Sequence, residues 1–354
     1  PKEPQPTPRR RRSDRVPSGQ RPSQFPSTLM DSAIDTVVDS RIGTGEPQRQ
    51  IGPYVIERDI GRGAMGMVLL GRDQRSNEAV AIKTMALGRE FHGEALAEAR
   101  ERFFREAEMA GRLQHPDIVA IRESGEESGN AYIAMELLSG QDLSVFAQPA
   151  RLLPVPQVLA IVARVARALA YAHRQGVTHR DIKPANIMVD RPRELVKVTD
   201  FGIARVMDST QTRTGLVLGT PSFMSPEQMA GARVDGRSDL YALGVTLFQL
   251  LTGVLPHRAD TMAGLIRAIA NDAAPDVRTL RPELPPALAD VVALALEKHP
   301  DRRYADGDAM AADLEAVRTA LLAEPPTAGA AGAAAAAPAP VPGAPGAAEA
   351  GHNL

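Results

Sequence analysis

The feature that most constrains the fold is the run HRDIKPAN, which begins at His179, followed by DFG, which begins at Asp200. The run places a proton acceptor, Asp181, near two side chains that can bind a metal ion, Asn186 and Asp200. Transfer of a phosphoryl group to a hydroxyl needs that set, because one group must accept the proton of the nucleophile and oxygens must hold Mg²⁺ against the phosphates. Two Asp residues 19 positions apart, as Asp181 and Asp200 are, occur often by chance. The interpretation therefore depends on the surrounding motifs.

Upstream, three glycines follow the pattern G-x-G-x-x-G at Gly61, Gly63 and Gly66. Dinucleotide-binding folds use the same spacing, so the pattern alone does not decide the fold. An alternating apolar and polar stretch, Tyr54–Ile60, precedes the glycines, and a second strand-like stretch ending in VAIK follows them, where a dinucleotide-binding fold would have a helix. The sequence therefore predicts a hairpin whose glycines let backbone N–H groups approach phosphate oxygens.

Lys83 ends the VAIK strand, where its charge can neutralise phosphates and needs a carboxylate to hold it. The stretch Glu94–Leu113 is rich in Ala, Glu and Arg and has no Pro, which predicts one long helix. Within it we assign Glu106 as the partner of Lys83. Glu108 lies about 200° further round the helix and faces another way, whereas Glu101 is an alternative partner.

In this order, the motifs resemble those of the eukaryotic-like (Hanks-type) Ser/Thr protein kinases of bacteria. The resemblance runs through residues 51–322 and includes GTPSFMSPEQ, SDLYALGVTLFQLLTG and HPDRRY. It implies an α+β, bilobal protein kinase fold, with a small β-rich N-lobe that carries one main helix, residues 51–138, and a larger helical C-lobe, residues 139–323. It also implies the activity of a protein serine/threonine kinase, a phosphotransferase.

The resemblance assigns roles to the polar residues of the site. Asp181 would accept the proton of the substrate hydroxyl, and Lys183 would reach the γ-phosphate and favours Ser/Thr over Tyr substrates. Asn186 and Asp200 would bind Mg²⁺ (or Mn²⁺), and Lys83 would bind the α- and β-phosphates of ATP. A catalytically silent kinase has normally lost the equivalent of Lys83, Asp181 or Asp200, and this sequence keeps all three. We therefore favour an active enzyme over a catalytically silent ATP-binding scaffold.

The resemblance also places the adenine of ATP against the strand AYIAMELL, as the hinge between the lobes. Met135 would guard a deeper pocket, and Glu136 and Leu138 would give main-chain contacts. Val68, Ala81 and Met188 would sandwich the ring, although ordinary strand packing explains these three residues almost as well. The whole set predicted to bind the nucleotide is Ile60, Gly61, Gly63, Gly66, Val68, Ala81, Lys83, Met135, Glu136, Leu138 and Met188.

Regulation is predicted in the loop that follows DFG. Arg180 is the kind of residue that pairs with a phosphorylated side chain in this loop. The resemblance indicates Thr212 and Thr214 as activating autophosphorylation sites, and Thr220, in the GT before PSFMSPE, as a further regulatory residue that supports Ser/Thr substrates. A Thr-rich loop can also be simply polar and flexible.

Two polar contacts are predicted to be structural. Glu227 of SPEQ should form a buried ion pair with Arg303 of HPDRRY, and Asp239 should bond to the backbone of the catalytic loop. Breaking a buried ion pair leaves a buried charge without compensation. We therefore expect the first contact to stabilise the helical lobe.

Composition limits the location and the partners. With 354 residues, 44% of them hydrophobic, the chain can bury a large core, and its net charge of -2 argues against a nucleic-acid partner. The absence of cysteine excludes disulfides and thiolate-bound zinc and is typical of a reducing compartment. The sequence contains no uninterrupted apolar run of the length that crosses a bilayer, so we expect a cytoplasmic chain without a membrane span.

The two ends differ from the middle. Residues 1–50 are rich in Pro, Arg and Ser, and residues 324–354 in Ala, Pro and Gly, so we expect disordered arms around a kinase domain at residues 51–323. Because Pro1 is not an initiator Met, we expect a fragment or a processed product. The basic run Arg9–Arg12 is either a solvated charge run or a juxtamembrane segment, which would tether the chain to the inner membrane through helices outside it.

The expected partners follow from the resemblance. They are protein substrates, a second copy of the chain in autophosphorylation and as a homodimer, and phosphothreonine-reading proteins recruited to modified Thr residues. If the kinase mainly phosphorylated its own Thr residues, signalling would depend on the phosphothreonine-reading proteins that bind them.

Overall fold

The N-terminal part of the structure is built on an antiparallel sheet. The computed structural model describes residues 49–63, 66–201 and 221–323. Within these ranges, the first sheet has the strand order β1-β2-β3-β4-β6-β5, and all neighbours are antiparallel. Its strands are β1 (Gln50–Ile51), β2 (Tyr54–Gly63), β3 (Gly66–Asp73), β4 (Ala79–Met85), β5 (Ile121–Glu127) and β6 (Asn130–Glu136).

The sheet begins before the predicted boundary of the domain. Residues 1–50 were expected to be disordered, yet Gln50 pairs with Val55, and the Arg49 carbonyl accepts a 2.9 Å hydrogen bond from the Ile56 N–H. The expectation is wrong for Arg49 and Gln50, because the sheet satisfies their backbone groups. The remainder of the predicted arm, residues 1–48, and the predicted tail, residues 324–354, lie outside the described residues.

The sheet has two apolar faces, because successive side chains of a strand point to opposite sides. Ile82 and Ala134 are buried in a cluster on one face. Ala81 and Met135 belong to the cluster on the other face, which includes side chains of the neighbouring helix. Lys83 follows Ala81 by two positions and therefore shares this second face.

The predicted long helix is confirmed. A short helix, α1 (Leu87–Glu90), leads to α2 (Glu94–Gly111), which ends at Gly111 rather than at Leu113. Its buried residues include Ala99, Phe103 and Ala107, which are spaced four apart and so share one face. This face packs against the sheet and positions Glu106, which is 7% exposed.

The C-terminal part is helical around a second, small sheet. That sheet contains β7 (Gln141–Asp142), β8 (Ile187–Asp190) and β9 (Leu195–Val198), in this order and antiparallel. A β-rich lobe with one main helix thus joins a helical lobe, which confirms the predicted α+β, bilobal architecture. The helices described in this lobe are α3 (Val155–Arg174), α4 (Pro226–Met229), α5 (Gly236–Thr252), α6 (Met262–Asn271), α7 (Pro286–Ala295) and α8 (Gly307–Ala323).

Helices α3 and α5 form the centre of this lobe. Leu169 of α3 and Leu243 of α5 are fully buried in the same apolar cluster. At the start of α8, Gly307 lies so close to α3 that an added Cβ would be 2.1 Å from the Ala166 carbonyl oxygen. Only glycine fits at this approach of backbone to backbone.

Helix α3 is long and apolar enough, by length and composition, to span a membrane. Of its most apolar window, 56% is buried inside the lobe. Its apolar residues therefore have an explanation in the packing of the core.

A buried histidine lies at the base of the helical lobe. His257 is 6% exposed, and Lys298 Nζ donates to His257 Nε2 at 3.0 Å and to the Ile269 carbonyl at 2.8 Å. The imidazole accepts this bond, so it is neutral. Burial and the neighbouring Lys298 lower the pKa of His257 to about 4, against a smaller opposite effect of Asp272.

Because His257 is buried and neutral, we expect the folded protein to lose stability in mild acid. The unfolded chain protonates His257 near the ordinary histidine pKa of 6.5, whereas the folded protein does so only near 4. Its contribution is fully present above pH 6.5, and we expect about 3 kcal/mol of unfolding free energy to be lost as the pH falls from 6.5 to 4. Urea unfolding across this range measures the loss, and His257→Phe should have a smaller pH dependence. Equal slopes for parent and variant would contradict the assignment.

Candidate active site

The catalytic loop brings together the three polar residues of HRDIKPAN that were predicted to act. Asp181 Oδ2 accepts hydrogen bonds from Lys183 Nζ at 2.8 Å and from Asn186 Nδ2 at 2.9 Å. Asn186 Nδ2 also donates to the Asp181 carbonyl at 2.7 Å. The amide nitrogen of Asn186 is thereby used, which leaves its oxygen for a cation.

Asp239 anchors this loop, as predicted. The Asp239 carboxylate, 1% exposed, accepts from the His179 N–H at 2.8 Å and from the Arg180 N–H at 2.7 Å. His173 Nε2 of α3 lies 2.8 Å from the same carboxylate. Arg180 has a φ of 70°, a left-handed conformation that costs about 1–2 kcal/mol and needs such support.

Asp200 meets the first lobe through an ion pair. Lys83 Nζ lies 2.8 Å from Asp200 Oδ1, and Asp200 has a φ of 66°. The next residue, Phe201, is 3% exposed and packs on the ring of His179 with centroids 4.6 Å apart. Nε2 of the same imidazole is 2.7 Å from the Thr199 carbonyl. The backbone on both sides of Asp200 is therefore held against the catalytic loop.

The observed partner of Lys83 differs from the predicted one. Among the ion pairs of the described residues, Lys83 binds Asp200 and not Glu106. Glu106 is buried on α2 and has an interaction of its own. The backbone of Asp200 is left-handed, and in this conformation its carboxylate binds Lys83. The Lys83 ammonium group is therefore already engaged. The Lys83–Glu106 pair is thus not a contact of the structure described here.

The glycines lie on a hairpin, as predicted. Gly61 pairs with Val68 and Gly63 with Gly66 between β2 and β3. At Gly66 the φ is 150° and an added Cβ would be 1.8 Å from the Thr84 carbonyl oxygen, so the approach of β4 requires glycine there. At Gly61 an added Cβ would meet only the Val68 side chain, at 3.7 Å. Packing therefore explains Gly66, whereas Gly61 has room beside it.

Most of the predicted nucleotide residues lie together under the sheet. Ala81 and Met135 are buried in one cluster, and Ile60, Val68 and Leu138 pack against it. Met188, the last residue of the set, lies on β8 of the other lobe. It pairs with Asp142 and is half-buried. The set thus has one group on the sheet and one member on the helical lobe.

The hinge is tied to the helical lobe by a lysine that the sequence analysis missed. Lys197 Nζ of β9 binds Glu136 Oε1 at 2.6 Å and the Ile118 carbonyl at 3.1 Å. Glu136 Oε1 also accepts from the Ala120 N–H at 2.7 Å. No hydrogen bond between described residues uses the N–H of Leu138. A polar residue inside the apolar strand LVKV was the only signal for Lys197.

Met135 lines a small pocket, of about 10 Å³, between the sheet and α2. Its other walls include Ile133 of β6, Ala110 of α2 and both Asp200 and Phe201. Met135 and Phe201 thus line the same small pocket beside the helix that carries Glu106, and the role of Met135 in guarding a deeper pocket stays a prediction.

The donor set of the site suits a divalent cation with a polyphosphate. The Asn186 amide oxygen and the Asp200 carboxylate are hard oxygen ligands, and Mg²⁺ is commonly bound by one or two protein oxygens with phosphates and water completing its octahedron. Lys83 and Lys183 supply positive charge within hydrogen-bond distance of the acidic residues. The residues present therefore fit Mg²⁺ (or Mn²⁺) and ATP.

The regulatory prediction concerns a segment that is largely not described. Thr212, Thr214 and Thr220 lie outside the described residues. Arg180 is described, with its N–H held by Asp239. The activating roles of the Thr residues stay a prediction.

Sequence comparison relates the chain to known proteins. The profile of the protein kinase domain matches residues 54–314. The chain is 41% identical over 277 residues to the serine/threonine-protein kinase pkn3 of Myxococcus xanthus, which covers 75% of this chain and 50% of that protein. It is 40% identical over 273 residues to the serine/threonine-protein kinase PknD of Mycobacterium tuberculosis, which covers 76% of this chain and 40% of the relative.

Structural comparison agrees with this relation. The crystal structure of the Mycobacterium tuberculosis PknI kinase domain has a TM-score of 0.63 and 32% sequence identity, and the match covers 77% of this chain and 100% of that one. The chain spans half or less of the length of the curated relatives named above. With the family profile matched across both lobes, the chain belongs to the protein kinase family, among the bacterial eukaryotic-like Ser/Thr kinases.

Proposed function

We propose that this chain is an ATP-dependent Ser/Thr protein kinase, with its kinase domain at residues 49–323, that transfers the γ-phosphate of Mg-ATP to protein Ser/Thr hydroxyls. The observation that carries the proposal is the Asp181 carboxylate, held by Lys183 and Asn186 in the same site as the Lys83–Asp200 ion pair. This arrangement combines a proton acceptor, two cations and two metal-binding oxygens.

Asp181 acts as the acceptor of the hydroxyl proton. Its Oδ2 receives both side-chain hydrogen bonds, and no bond between described residues uses Oδ1. Oδ1 is therefore available to orient the substrate hydroxyl and to take its proton. Lys183, 2.8 Å from the same carboxylate, brings a positive charge next to the nucleophile and stabilises the phosphoryl group in transfer.

Asn186 and Asp200 would hold the metal, and Lys83 would hold the inner phosphates, with Glu106 of α2 as the proposed partner of Lys83 in the nucleotide complex. When bound, Mg²⁺ supplies charge neutralisation on the phosphate oxygens. Because Lys83 already binds Asp200, this lysine can exchange one anionic partner for another without a new charge being buried.

The adenine pocket is formed by the apolar cluster of the sheet and by the hinge. The Leu138 N–H, unused in the described hydrogen bonds, is the proposed donor to the ring, and the Glu136 carbonyl the proposed acceptor. The Glu136 side chain is turned to Lys197 and so stays out of the pocket. Val68 and Ala81 of the sheet and Met188 of the helical lobe would sandwich the ring.

Activation through the loop after DFG is part of the proposal. Phosphate on Thr212 and Thr214 would pair with cationic groups such as Arg180. A second copy of the chain is the proposed partner for this autophosphorylation, and phosphothreonine-reading proteins would bind the products. Tethering to the inner membrane through a segment outside this chain is a further proposal, supported by the basic run Arg9–Arg12.

We expect the chain to incorporate labelled phosphate from Mg-ATP into itself and into a protein substrate. Mass spectrometry should find the phosphate on Ser and Thr, with Thr212 and Thr214 as the main sites in the chain. Asp181→Asn is the control, and it should still bind ATP while transfer falls. Folded parent protein that binds ATP and transfers nothing, or that modifies only Tyr, would refute the proposed function.

A further inference from the structure

Both backbone groups of Arg180, the residue before Asp181, are hydrogen-bonded to other elements of the helical lobe. The Arg180 N–H donates to Asp239 Oδ1 of α5 at 2.7 Å. The Arg180 carbonyl accepts a 3.0 Å hydrogen bond from Gln228 Nε2 of α4. Asp239 was predicted to support the loop, whereas no role was assigned to Gln228.

The contact with Gln228 bears directly on the proton acceptor. A peptide unit is planar, so the Arg180 carbonyl and the Asp181 N–H move together. The Asp181 N–H donates to His179 Nδ1 at 3.2 Å, which is a long bond. Since Arg180 has a φ of 70°, relaxation of its backbone would rotate this unit and shift the Asp181 side chain.

Gln228 itself is fixed by the start of α4. Its Oε1 accepts from the Ser225 N–H at 3.0 Å and lies 3.1 Å from Ser225 Oγ, which in turn accepts from the Gln228 N–H at 3.3 Å. This is a capping box, and Ser225 is fully buried. With the amide oxygen engaged by the cap, the amide nitrogen is directed to Arg180.

The element that carries Gln228 is anchored as well. The neighbouring residue, Glu227, forms a bidentate ion pair with Arg303, with both N–O distances 2.7 Å. Because the backbone of α4 is held by this pair, the amide group of Gln228 has a defined position relative to the catalytic loop.

We infer that Gln228 is a positioning residue, which holds the Arg180–Asp181 peptide so that the Asp181 carboxylate faces the substrate hydroxyl. The inference deepens the proposed kinase function and rests on it. The role needs an amide, because the side chain must accept from Ser225 and donate to Arg180 at the same time. A glutamate satisfies the cap equally well but places a carboxylate oxygen against the Arg180 carbonyl.

The test compares Gln228→Glu and Gln228→Ala with the parent, measuring kcat, KM for ATP, and Tm. For both variants we expect kcat about tenfold lower and KM within about twofold, because a lost hydrogen bond misplaces the acceptor without touching the nucleotide. Gln228→Ala, which also removes the bond from the Ser225 N–H to the Gln228 side chain, should lower Tm by several degrees, whereas Gln228→Glu, which keeps that bond, should lower it less. Gln157→Glu, the same change at an exposed position of α3, should match the parent.

A pH series separates positioning from general damage. A protonated carboxyl can donate a hydrogen bond as an amide does, so the kcat of Gln228→Glu relative to the parent should rise as the pH falls. A parent-like kcat for Gln228→Glu, or a loss of kcat that appears only together with a loss of Tm, would overturn the inference.

Amide hydrogen exchange gives a result that does not depend on activity. Exchange at Arg180 and Asp181 should be about tenfold faster in Gln228→Glu than in the parent, while the Gln157→Glu control stays unchanged. If the parent transferred no phosphate, the proposed function would fail, and this measurement would still decide the contact: equal exchange in parent and variant refutes the positioning role.

Discussion

Replacing Asp200 by Asn should lower phosphate transfer by about a thousandfold, which corresponds to about 4 kcal/mol of transition-state stabilisation. Asp200 is the carboxylate that meets Lys83, at 2.8 Å, and the proposed ligand of the metal. An amide is the same size but is neutral, so it binds Mg²⁺ weakly and leaves the phosphate charge without compensation. The loss should appear in kcat with bulk protein substrate and saturating ATP.

The fold should survive this change. The side chains of Lys83 and Asp200 are 17% and 26% exposed, so their ion pair is partly solvated and contributes little to stability. We expect the Tm to stay within a few degrees of the parent. Asp308→Asn is the matched control, because Asp308 lies in an exposed ion pair with Arg174 on the helical lobe. If Asp200→Asn transferred phosphate at a normal rate, the metal assignment and with it the proposed site would be wrong.

Contacts inside the catalytic loop were predictable from the sequence because the chain itself keeps their residues close. Asp181, Lys183 and Asn186 are within one short segment, and the turn Pro184–Asn186 folds it back on itself. The contacts of Asp239 and of the Glu227–Arg303 pair are long-range, and they were predictable only through the family resemblance. The sequence by itself contains no spacing rule that joins those residues.

Pairings between residues that are distant in the chain were harder to predict. Lys83 has two candidate carboxylates on different elements, Glu106 on α2 and Asp200 after β9, and the choice depends on backbone geometry that the motifs do not specify. The bond of Lys197 to Glu136 and that of Gln228 to Arg180 likewise join residues that are distant in the chain. In each case tertiary placement decides which of several possible partners is within reach.

The other large effect is expected at the buried ion pair of the helical lobe. Arg303 and Glu227 have side chains that are 0% and 9% exposed. The remaining Arg303 donors bind the carbonyls of Glu297 at 2.7 Å, Lys298 at 2.9 Å and Arg237 at 3.1 Å. Arg303 therefore satisfies a carboxylate and three backbone groups, and its guanidinium lies 4.9 Å from the ring centroid of Tyr241.

Arg303→Met should lower the free energy of unfolding by about 3–5 kcal/mol, because it leaves the Glu227 carboxylate buried without a cation. For a domain of this size, that corresponds to a fall in Tm of about 10 °C. Burial alone would raise the pKa of Glu227, but the hydrogen bonds from Arg303 and Ser238 hold it below its usual value. Without Arg303 the pKa should rise, so the variant should regain part of its relative stability as the pH falls and the carboxylate is protonated.

A double-mutant cycle separates the ion pair from the loss of a large side chain. Adding Glu227→Gln to Arg303→Met removes the uncompensated charge, so the double variant should be more stable than Arg303→Met alone, by about 1–3 kcal/mol. Arg318→Met is the matched control, since Arg318 pairs with Glu315 at a partly exposed position, and it should cost less than about 1 kcal/mol. Urea unfolding of the parent, Glu227→Gln, Arg303→Met, the double variant and Arg318→Met measures these differences. Additive effects of the two changes would mean that Arg303 stabilises the lobe through its backbone contacts and its packing on Tyr241 rather than through Glu227.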